Sequence, residues 1–224
     1  MTPTAPRRAG SPSRRTVLSG MVGAGVTLGA CAPRGTIVVV SPHPDDETLR
    51  LAGYVLHARD RGDRLVLVAV TRGAASGARP ASWSTDRLTR VRTAEQEAAW
   101  LALTGGLGEV RHLDLPDGEL TDDAVRLALR PVLEPLGDAV VASASHHEDE
   151  HADHRVVARV VGDLAGRRAR WGLPPGAEGG ARWDCPDPEA ARRADEAYSP
   201  FGHSSVRRLF EDLRAADYAS AVVT

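Results

Sequence analysis

Short apolar runs alternate along the chain with longer stretches of helical periodicity. Four runs rich in Val, Ile and Leu predict β-strands, at 36–41, 64–71, 109–113 and 138–144. Their apolar residues are continuous rather than alternating, which is typical of strands covered on both faces. Strands separated by helices favour an α/β fold, in which right-handed crossovers join the strands of a parallel sheet.

The stretches between and after these runs predict helices. Thr121 is a suitable N-cap for one of them, and Pro131 shortens or bends the same helix. Residues 172–190 are rich in Gly and Pro and predict a long loop. The predicted helices lie at 46–60, 86–103 and 121–136, in a stretch that follows His154, and at 204–217.

Composition limits the number of domains and the class of partner. The chain has 224 residues, with 28 basic and 30 acidic residues and a formal charge of −2. This length suits one ordinary core once a leader is set aside, so residues 32–224 are expected to form a single domain. The balanced charge offers no basic surface for a phosphate backbone, and nucleic acid is therefore not an expected partner.

Residues 1–31 have the pattern of an export leader. Paired arginines at 14–15 precede a Gly/Ala-rich apolar run at 18–30, which resembles a twin-arginine signal. The run ends at Cys31 in a lipobox-like segment, which predicts a lipoprotein on the outer face of the membrane. A secreted product cleaved at a small-x-small site and a disordered tail are the alternatives. Accumulation of a precursor under globomycin would identify the lipoprotein.

Two polar clusters each follow a predicted strand directly. SPHPDDETL at 41–49 follows the first strand, and HHEDEHADH at 146–154 follows the strand at 138–144. Ligands of open α/β sheets bind beyond the carboxyl ends of the strands. If the two strands are neighbours, one crevice collects six polar side chains, those of His43, Asp45, Asp46, His151, Asp153 and His154.

A divalent metal accounts for this collection of acids and imidazoles. The ion compensates the repulsion between adjacent carboxylates and supplies the charge that a buried acid requires. Three nitrogen or oxygen ligands with one open position are typical of catalytic zinc. The spacing alone does not choose between His151 and His154 as a ligand. Taken singly, the first cluster could be a solvated turn and the second an adventitious histidine-bearing loop.

The two clusters resemble the motifs of the LmbE-like, or PIG-L, superfamily of zinc-dependent N-deacetylases. SPHPDDETL is similar to the first motif and HADH at 151–154 to the second, and the resemblance covers approximately 36–164. It implies a Rossmann-like three-layer sandwich with a mostly parallel central sheet. It also implies that zinc is held by His43, Asp46 and His154.

The resemblance further implies the roles of the other polar side chains. Asp45 would be the general base, a protonated His151 would stabilise the oxyanion and help the amine leave, and Asp153 would orient a histidine. Arg92, in an R-x-x-E segment, and Asp117, in a Leu-Pro-Asp-Gly loop, would bind substrate. A surface arginine and an ordinary turn are the alternatives for these two.

The expected function is removal of acetyl from an N-acetylglucosamine-type sugar or glycoconjugate outside the cytoplasm. Zinc is the expected metal, with iron, cobalt and nickel open at a His2Asp site. Asp149 replaces a tyrosine of members that act on the mycothiol precursor, which disfavours that substrate. The rival functions are a carbohydrate-binding lipoprotein without turnover and a metal-dependent phosphoesterase. The latter would need phosphate-binding groups, and the first two strand-to-helix turns offer only Arg72-Gly73.

Overall fold

A seven-stranded sheet forms the centre of the protein in the computed structural model, which describes Met1 and residues 34–224. The strands are β1 (Thr36–Ser41), β2 (Arg64–Thr71), β3 (Glu109–Leu115), β4 (Val140–Ser143), β5 (Ala169–Gly172), β6 (Ala181–Trp183) and β7 (Ser220–Val223). The helices are α1 (Asp46–Arg61), α2 (Thr85–Thr104), α3 (Asp122–Leu133), α4 (Ala152–Ala165), α5 (Pro188–Ala197), α6 (Gly202–Ser205) and α7 (Arg207–Ala215).

The order of the strands creates one topological switch point. The sheet runs β3-β2-β1-β4-β5-β7-β6, and the first five strands in this order are parallel. The chain moves outward in one direction from β1 to β3 and in the other from β4 to β5. The reversal falls between β1 and β4, where Val40 pairs with Ser143. A crevice is expected beyond the carboxyl ends of these two strands.

An apolar core lies on each face of the sheet. Val38 and Val40 belong to the core that α3 and α4 cover, whereas Ile37 and Val39 belong to the core under α1, α2, α5 and α7. Successive residues of a strand point to opposite faces, and all four side chains are at least nine-tenths buried. The continuous apolar run therefore reflects helices on both faces, and the prediction of a Rossmann-like α/β sandwich is confirmed.

The C-terminal third differs from the prediction. Residues 172–190 are not one loop, because β6 and the start of α5 lie within them, and β5 and β7 were not predicted. These three strands have only three or four residues each, which is too few for a period to be recognised. The predicted helix 204–217 is divided at Val206, whose φ of −136° and ψ of 47° are not helical. The predicted helix 121–136 ends at Leu133, and residues 134–136 form a 3-10 turn.

Glu95 of α2 holds the start of α6 through hydrogen bonds to its backbone. Its Oε1 accepts hydrogen bonds from the backbone amides of Phe201 and Gly202, the latter at 3.3 Å. Its Oε2 has no hydrogen-bond partner among the described residues. Burial raises the pKa of Glu95 to about 7, although the two amides and Arg92 act in the opposite direction. The folded protein therefore binds a proton at Glu95 more tightly than the unfolded chain does.

Glu95→Gln is expected to change the pH dependence of stability. The raised pKa means that wild-type folding takes up a proton between the ordinary value of 4.5 and about 7, so the free energy of unfolding falls as pH rises through this window. The contribution is on the order of 1–3 kcal/mol, and the variant lacks it. Urea unfolding at pH 5 and pH 8 measures the difference. Glu119→Gln, at an exposed site, is the control, and parallel pH profiles for Glu95→Gln and wild type would contradict the expectation.

The predicted export leader, with Cys31, lies outside the described residues. Among residues 34–224, none of the helices is long and apolar enough to cross a membrane.

Candidate metal centre

The turn after β1 directs His43 and Asp46 to one point. The Ser41 hydroxyl donates to the carbonyl of His43 at 2.7 Å, and the His43 amide donates to Asp46 Oδ2 at 3.0 Å. Asp45, between them, has a φ of 107°, in a region that residues with a Cβ rarely adopt. This conformation lets α1 begin at Asp46 and brings the Asp46 carboxylate back over His43.

The loop after β4 leads into the N-terminus of α4. His151 caps this helix, because its Nδ1 accepts the amide of Asp153 at 3.2 Å. His154 lies one turn further on and is buried, with 5% of its surface exposed. Since β4 neighbours β1, the start of α4 faces the turn at His43. The predicted convergence of the two clusters is therefore present in the structure.

Three potential ligand atoms lie at the spacing that a tetrahedral ion requires. His43 Nδ1 is 3.1 Å from His154 Nε2 and 3.4 Å from Asp46 Oδ2, and His154 Nε2 is 3.1 Å from the same oxygen. Bonds of about 2.0–2.1 Å around a tetrahedral zinc ion put neighbouring ligand atoms about 3.3 Å apart. The donor set of two imidazoles and one carboxylate is therefore suited to zinc.

The hydrogen bonds behind the imidazoles leave their lone pairs directed at this point. His43 Nε2 is 3.1 Å from Asp117 Oδ1 and 3.2 Å from Asp153 Oδ2, and His154 Nδ1 is 3.0 Å from Asp149 Oδ2. An ionised carboxylate only accepts hydrogen bonds, so these two nitrogens carry protons. His43 Nδ1 and His154 Nε2 are thus the nitrogens that are free to bind a cation.

The surrounding carboxylates favour positive charge at the centre. Burial alone lowers an imidazole pKa, but the hydrogen bonds to Asp117, Asp153 and Asp46 outweigh it and raise the pKa of His43 well above its ordinary value. Burial also raises a carboxyl pKa, yet the hydrogen bonds from His43 and two backbone amides lower the pKa of Asp153 to about 2. A cluster in this state is stabilised by any cation, a proton or a metal ion.

Other combinations of the same side chains also have metal-binding spacing. His43, His151 and His154 each offer a nitrogen, and these atoms lie within 4.8 Å of one another. His43, Asp117 and Asp153 form a second such group. We favour Asp46 over His151 as the third ligand for two reasons. Its Oδ2 lies 3.4 Å from His43 Nδ1 and 3.1 Å from His154 Nε2, and the exposed His151 already uses Nδ1 as a helix cap.

His151 lies beside the ligand atoms at the exposed side of the centre. Its ring centroid is 4.7 Å from that of His43 and 5.3 Å from that of His154. Burial and the neighbouring imidazoles lower the pKa of His151, which favours its neutral form over the protonated form expected from the resemblance. Its predicted contact with substrate stays a prediction.

Asp45 is buried beside the ligands and held by an arginine. Arg92 Nη2 donates to Asp45 Oδ2 at 2.9 Å and to the carbonyl of Pro44 at 2.6 Å. Burial raises the pKa of Asp45 to about 7, even though the Arg92 charge opposes the rise. A carboxylate that titrates near neutral pH is suited to general base catalysis. Gly73 accommodates this arrangement, because a Cβ there would lie 2.3 Å from Arg92 Nη1.

Both residues predicted to bind substrate make contacts within the protein. Arg92 is 5% exposed and donates to Asp45, as described above. Asp117 contacts His43 and accepts the backbone amide of Ala75 at 2.7 Å. Each side chain thus supports a residue of the centre. Their predicted contact with substrate stays a prediction.

Sequence reasoning missed two groups that support the centre. Asp149 contacts His154 and pairs with Arg50. Glu47, next to Asp46, accepts hydrogen bonds from the hydroxyl of Tyr198 and the side-chain amide of Gln96. Glu47 lies in the motif at 41–49, and Arg50 follows it on α1. A charged residue on an otherwise apolar helix face is a signal that could have indicated a role in supporting the centre. Tyr198 had no such signal, because its segment was not placed in the fold.

A Rossmann-like sheet with this centre at its switch point defines an α/β protein with a candidate metal site of the catalytic type. The chain belongs to the PIG-L (GlcNAc-PI de-N-acetylase) family, which matches residues 38–165, more than half of its length. The match includes both polar clusters, so the resemblance inferred from the two motifs is confirmed. No curated protein matches the chain significantly.

Several solved structures share the fold. The N,N'-diacetylchitobiose deacetylase from Pyrococcus horikoshii is 18% identical, with a TM-score of 0.59 over 84% of this chain and 82% of that one. The A40926 pseudoaglycone deacetylase is 20% identical, with a TM-score of 0.60 over 83% and 93%. The 4-carboxy-2-hydroxymuconate hydratase from Pseudomonas putida KT2440 is 18% identical, with a TM-score of 0.63 over 81% and 83%. At these identities the likeness concerns the fold alone.

Proposed function

We propose that the protein is a zinc-dependent N-deacetylase. It hydrolyses the acetamide of an N-acetylglucosamine-type sugar or glycoconjugate and acts outside the cytoplasm after export through the leader of residues 1–31. Membership of the PIG-L family supports this proposal. The similar structures include an N,N'-diacetylchitobiose deacetylase and an A40926 pseudoaglycone deacetylase, which supports the same substrate class.

The observation that carries the proposal is the position of Asp45 beside three converging ligand atoms. His43 Nδ1, Asp46 Oδ2 and His154 Nε2 form a triangle with sides of 3.1–3.4 Å, and Asp45 directly precedes one of these ligands. A zinc ion held there would supply Lewis acidity, which lowers the pKa of water from about 15.7 to about 7 and polarises a carbonyl oxygen.

Side chains of the protein carry out the other steps of the hydrolysis. Asp45 accepts the proton of the attacking water, and Arg92 keeps its carboxylate in place. His151 donates a hydrogen bond to the carbonyl oxygen as negative charge develops on it. Asp45 then returns this proton to the amide nitrogen as the C–N bond breaks, and acetate and the free amino sugar leave. Asp117 and Asp153 hold His43 throughout, with its Nε2 proton directed at them.

The wild-type protein is expected to release acetate from acetylated amino sugars in a metal-dependent manner. Mass spectrometry of a substrate panel should show products in which a hydrogen replaces one acetyl group. A chelator should abolish the reaction and added zinc should restore it, because the bound ion would supply the Lewis acidity that activates the water. Turnover that is insensitive to chelation would contradict the metal assignment. A complete lack of acetate from the whole panel would contradict the substrate class.

The same assay separates the rival functions. The hydratase among the similar structures shows that this fold is not restricted to proteins named as deacetylases. A hydratase adds water to a double bond and releases no acetate, and a phosphoesterase releases phosphate instead. A carbohydrate-binding protein would show sugar affinity by calorimetry without any product. Acetate, phosphate and intact substrate are therefore measured side by side.

A further inference from the structure

Arg50 and Asp149 form a buried ion pair directly behind His154. Arg50 Nη1 donates to Asp149 Oδ2 at 2.7 Å, and the exposed fractions of the two side chains are 6% and 9%. The same Asp149 oxygen is 3.0 Å from His154 Nδ1. The two residues come from α1 and from the loop after β4, so the pair joins both polar clusters at the back of the centre.

Both members of the pair are held by further contacts. Arg50 Nη1 lies 3.5 Å from the carbonyl of Gly172 at the end of β5, and Arg50 Nε lies 3.9 Å from Asp46 Oδ1. The backbone of Asp149 is fixed by Arg155, whose Nη1 donates to its carbonyl at 2.7 Å. The position of the carboxylate is thus determined from three elements of the fold. His154 Nδ1 therefore faces an acceptor whose place is fixed.

We propose that Arg50 and Asp149 are positioning residues for the metal ligand His154. The inference rests on the proposed function, because it assumes that His154 binds the metal. Asp149 orients the ring and keeps the proton on Nδ1, which leaves the Nε2 lone pair for the ion. Arg50 holds the Asp149 carboxylate in place. Loss of such a partner behind a ligand typically lowers metal affinity about 10–100-fold.

A role in stability alone is a poor explanation for this pair. Removing two charges from water costs free energy that their attraction only partly offsets, and apolar residues of similar volume are often as stable or more so. A carboxylate behind a metal-binding imidazole, in contrast, raises the basicity of the ligand. The position of the pair against His154 Nδ1 therefore favours a role in metal binding.

Asp149→Asn is expected to weaken zinc binding about 10–100-fold. The affinity of the metal-free full-length protein for zinc is measured by competition with a chromophoric chelator, and thermal unfolding of the same sample measures its stability. The matched control is Asp195→Asn. Asp195 is a buried carboxylate that also contacts an arginine and a histidine, Arg214 at 2.6 Å and His203 at 2.7 Å, and neither is a candidate ligand.

The inference is supported if Asp149→Asn loses zinc affinity while Asp195→Asn loses only thermal stability. It is overturned if both variants bind zinc like the wild type, which would leave the proposed function intact. A wild-type protein that binds no zinc would overturn the proposed function as well. If Asp149→Asn does not fold because Arg50 is left unpaired, the double variant Arg50→Met/Asp149→Asn removes that charge, and the same expectation applies to it.

Discussion

Asp45→Asn is expected to reduce acetate release by about 10²–10⁴-fold while zinc remains bound, since this is the usual contribution of a positioned base. Asparagine has the same shape and still offers an oxygen to Arg92, so the turn before α1 should persist. The amide cannot accept a proton from water at any accessible pH. Steady-state kinetics measures the loss in kcat, and metal analysis of the purified variant measures the retained zinc.

Asp114→Asn is the matched control for this variant. Asp114 also has a positive φ, of 56°, and also pairs with an arginine, Arg72, but it is exposed at the end of β3. Its replacement should leave both kcat and zinc content unchanged. Turnover of Asp45→Asn at the wild-type rate would refute the assignment of Asp45 as the base.

His154→Ala is expected to lose zinc affinity, whereas His151→Ala is expected to lose turnover. His154 contributes one of the three atoms of the proposed site, so its loss should lower zinc affinity by more than the about 10–100-fold attributed to an outer partner. His151 contacts the site from the exposed side, so its loss should leave zinc binding nearly intact and lower kcat. Zinc affinity of the metal-free proteins and kcat at saturating zinc are measured for both variants.

His112→Ala controls for the loss of an imidazole as such. His112 lies on β3, where its Nε2 is 3.1 Å from Glu97, and it has no contact with the centre. Equal losses of zinc affinity in His151→Ala and His154→Ala would show that three histidines hold the ion. In that case Asp46 would be a supporting residue instead of a ligand.

The sequence was sufficient to predict the strands β1 to β4. It also predicted the meeting of the two polar clusters on the condition, met in the structure, that β1 and β4 are neighbours. Both followed from physical regularities, because continuous apolar runs mark strands covered on two faces and parallel strands share a carboxyl edge. The residues of the motifs lie where this reasoning placed them. His43, Asp45 and Asp46 are close because all three lie in the same tight turn between β1 and α1.

The supporting contacts could not be predicted in the same way. The pairs Arg50–Asp149 and Glu47–Tyr198 join residues 99 and 151 positions apart, and no local pattern relates such distant positions. The roles expected for Arg92 and Asp117 came from the family resemblance, which carries no information on how deeply a side chain is buried. Short strands such as β6 are defined by their neighbours in the sheet and not by their own three residues.

The backbone of Asp45 has a consequence for how relatives of this protein can be interpreted. A residue with a Cβ at a φ of 107° costs on the order of 1–3 kcal/mol, and glycine would adopt the same turn without that cost. Mutation that is free of selection for chemistry should therefore favour glycine at this place. A homologue that retains both histidines but has glycine here is expected to be a pseudoenzyme, which still binds the ion and has lost turnover.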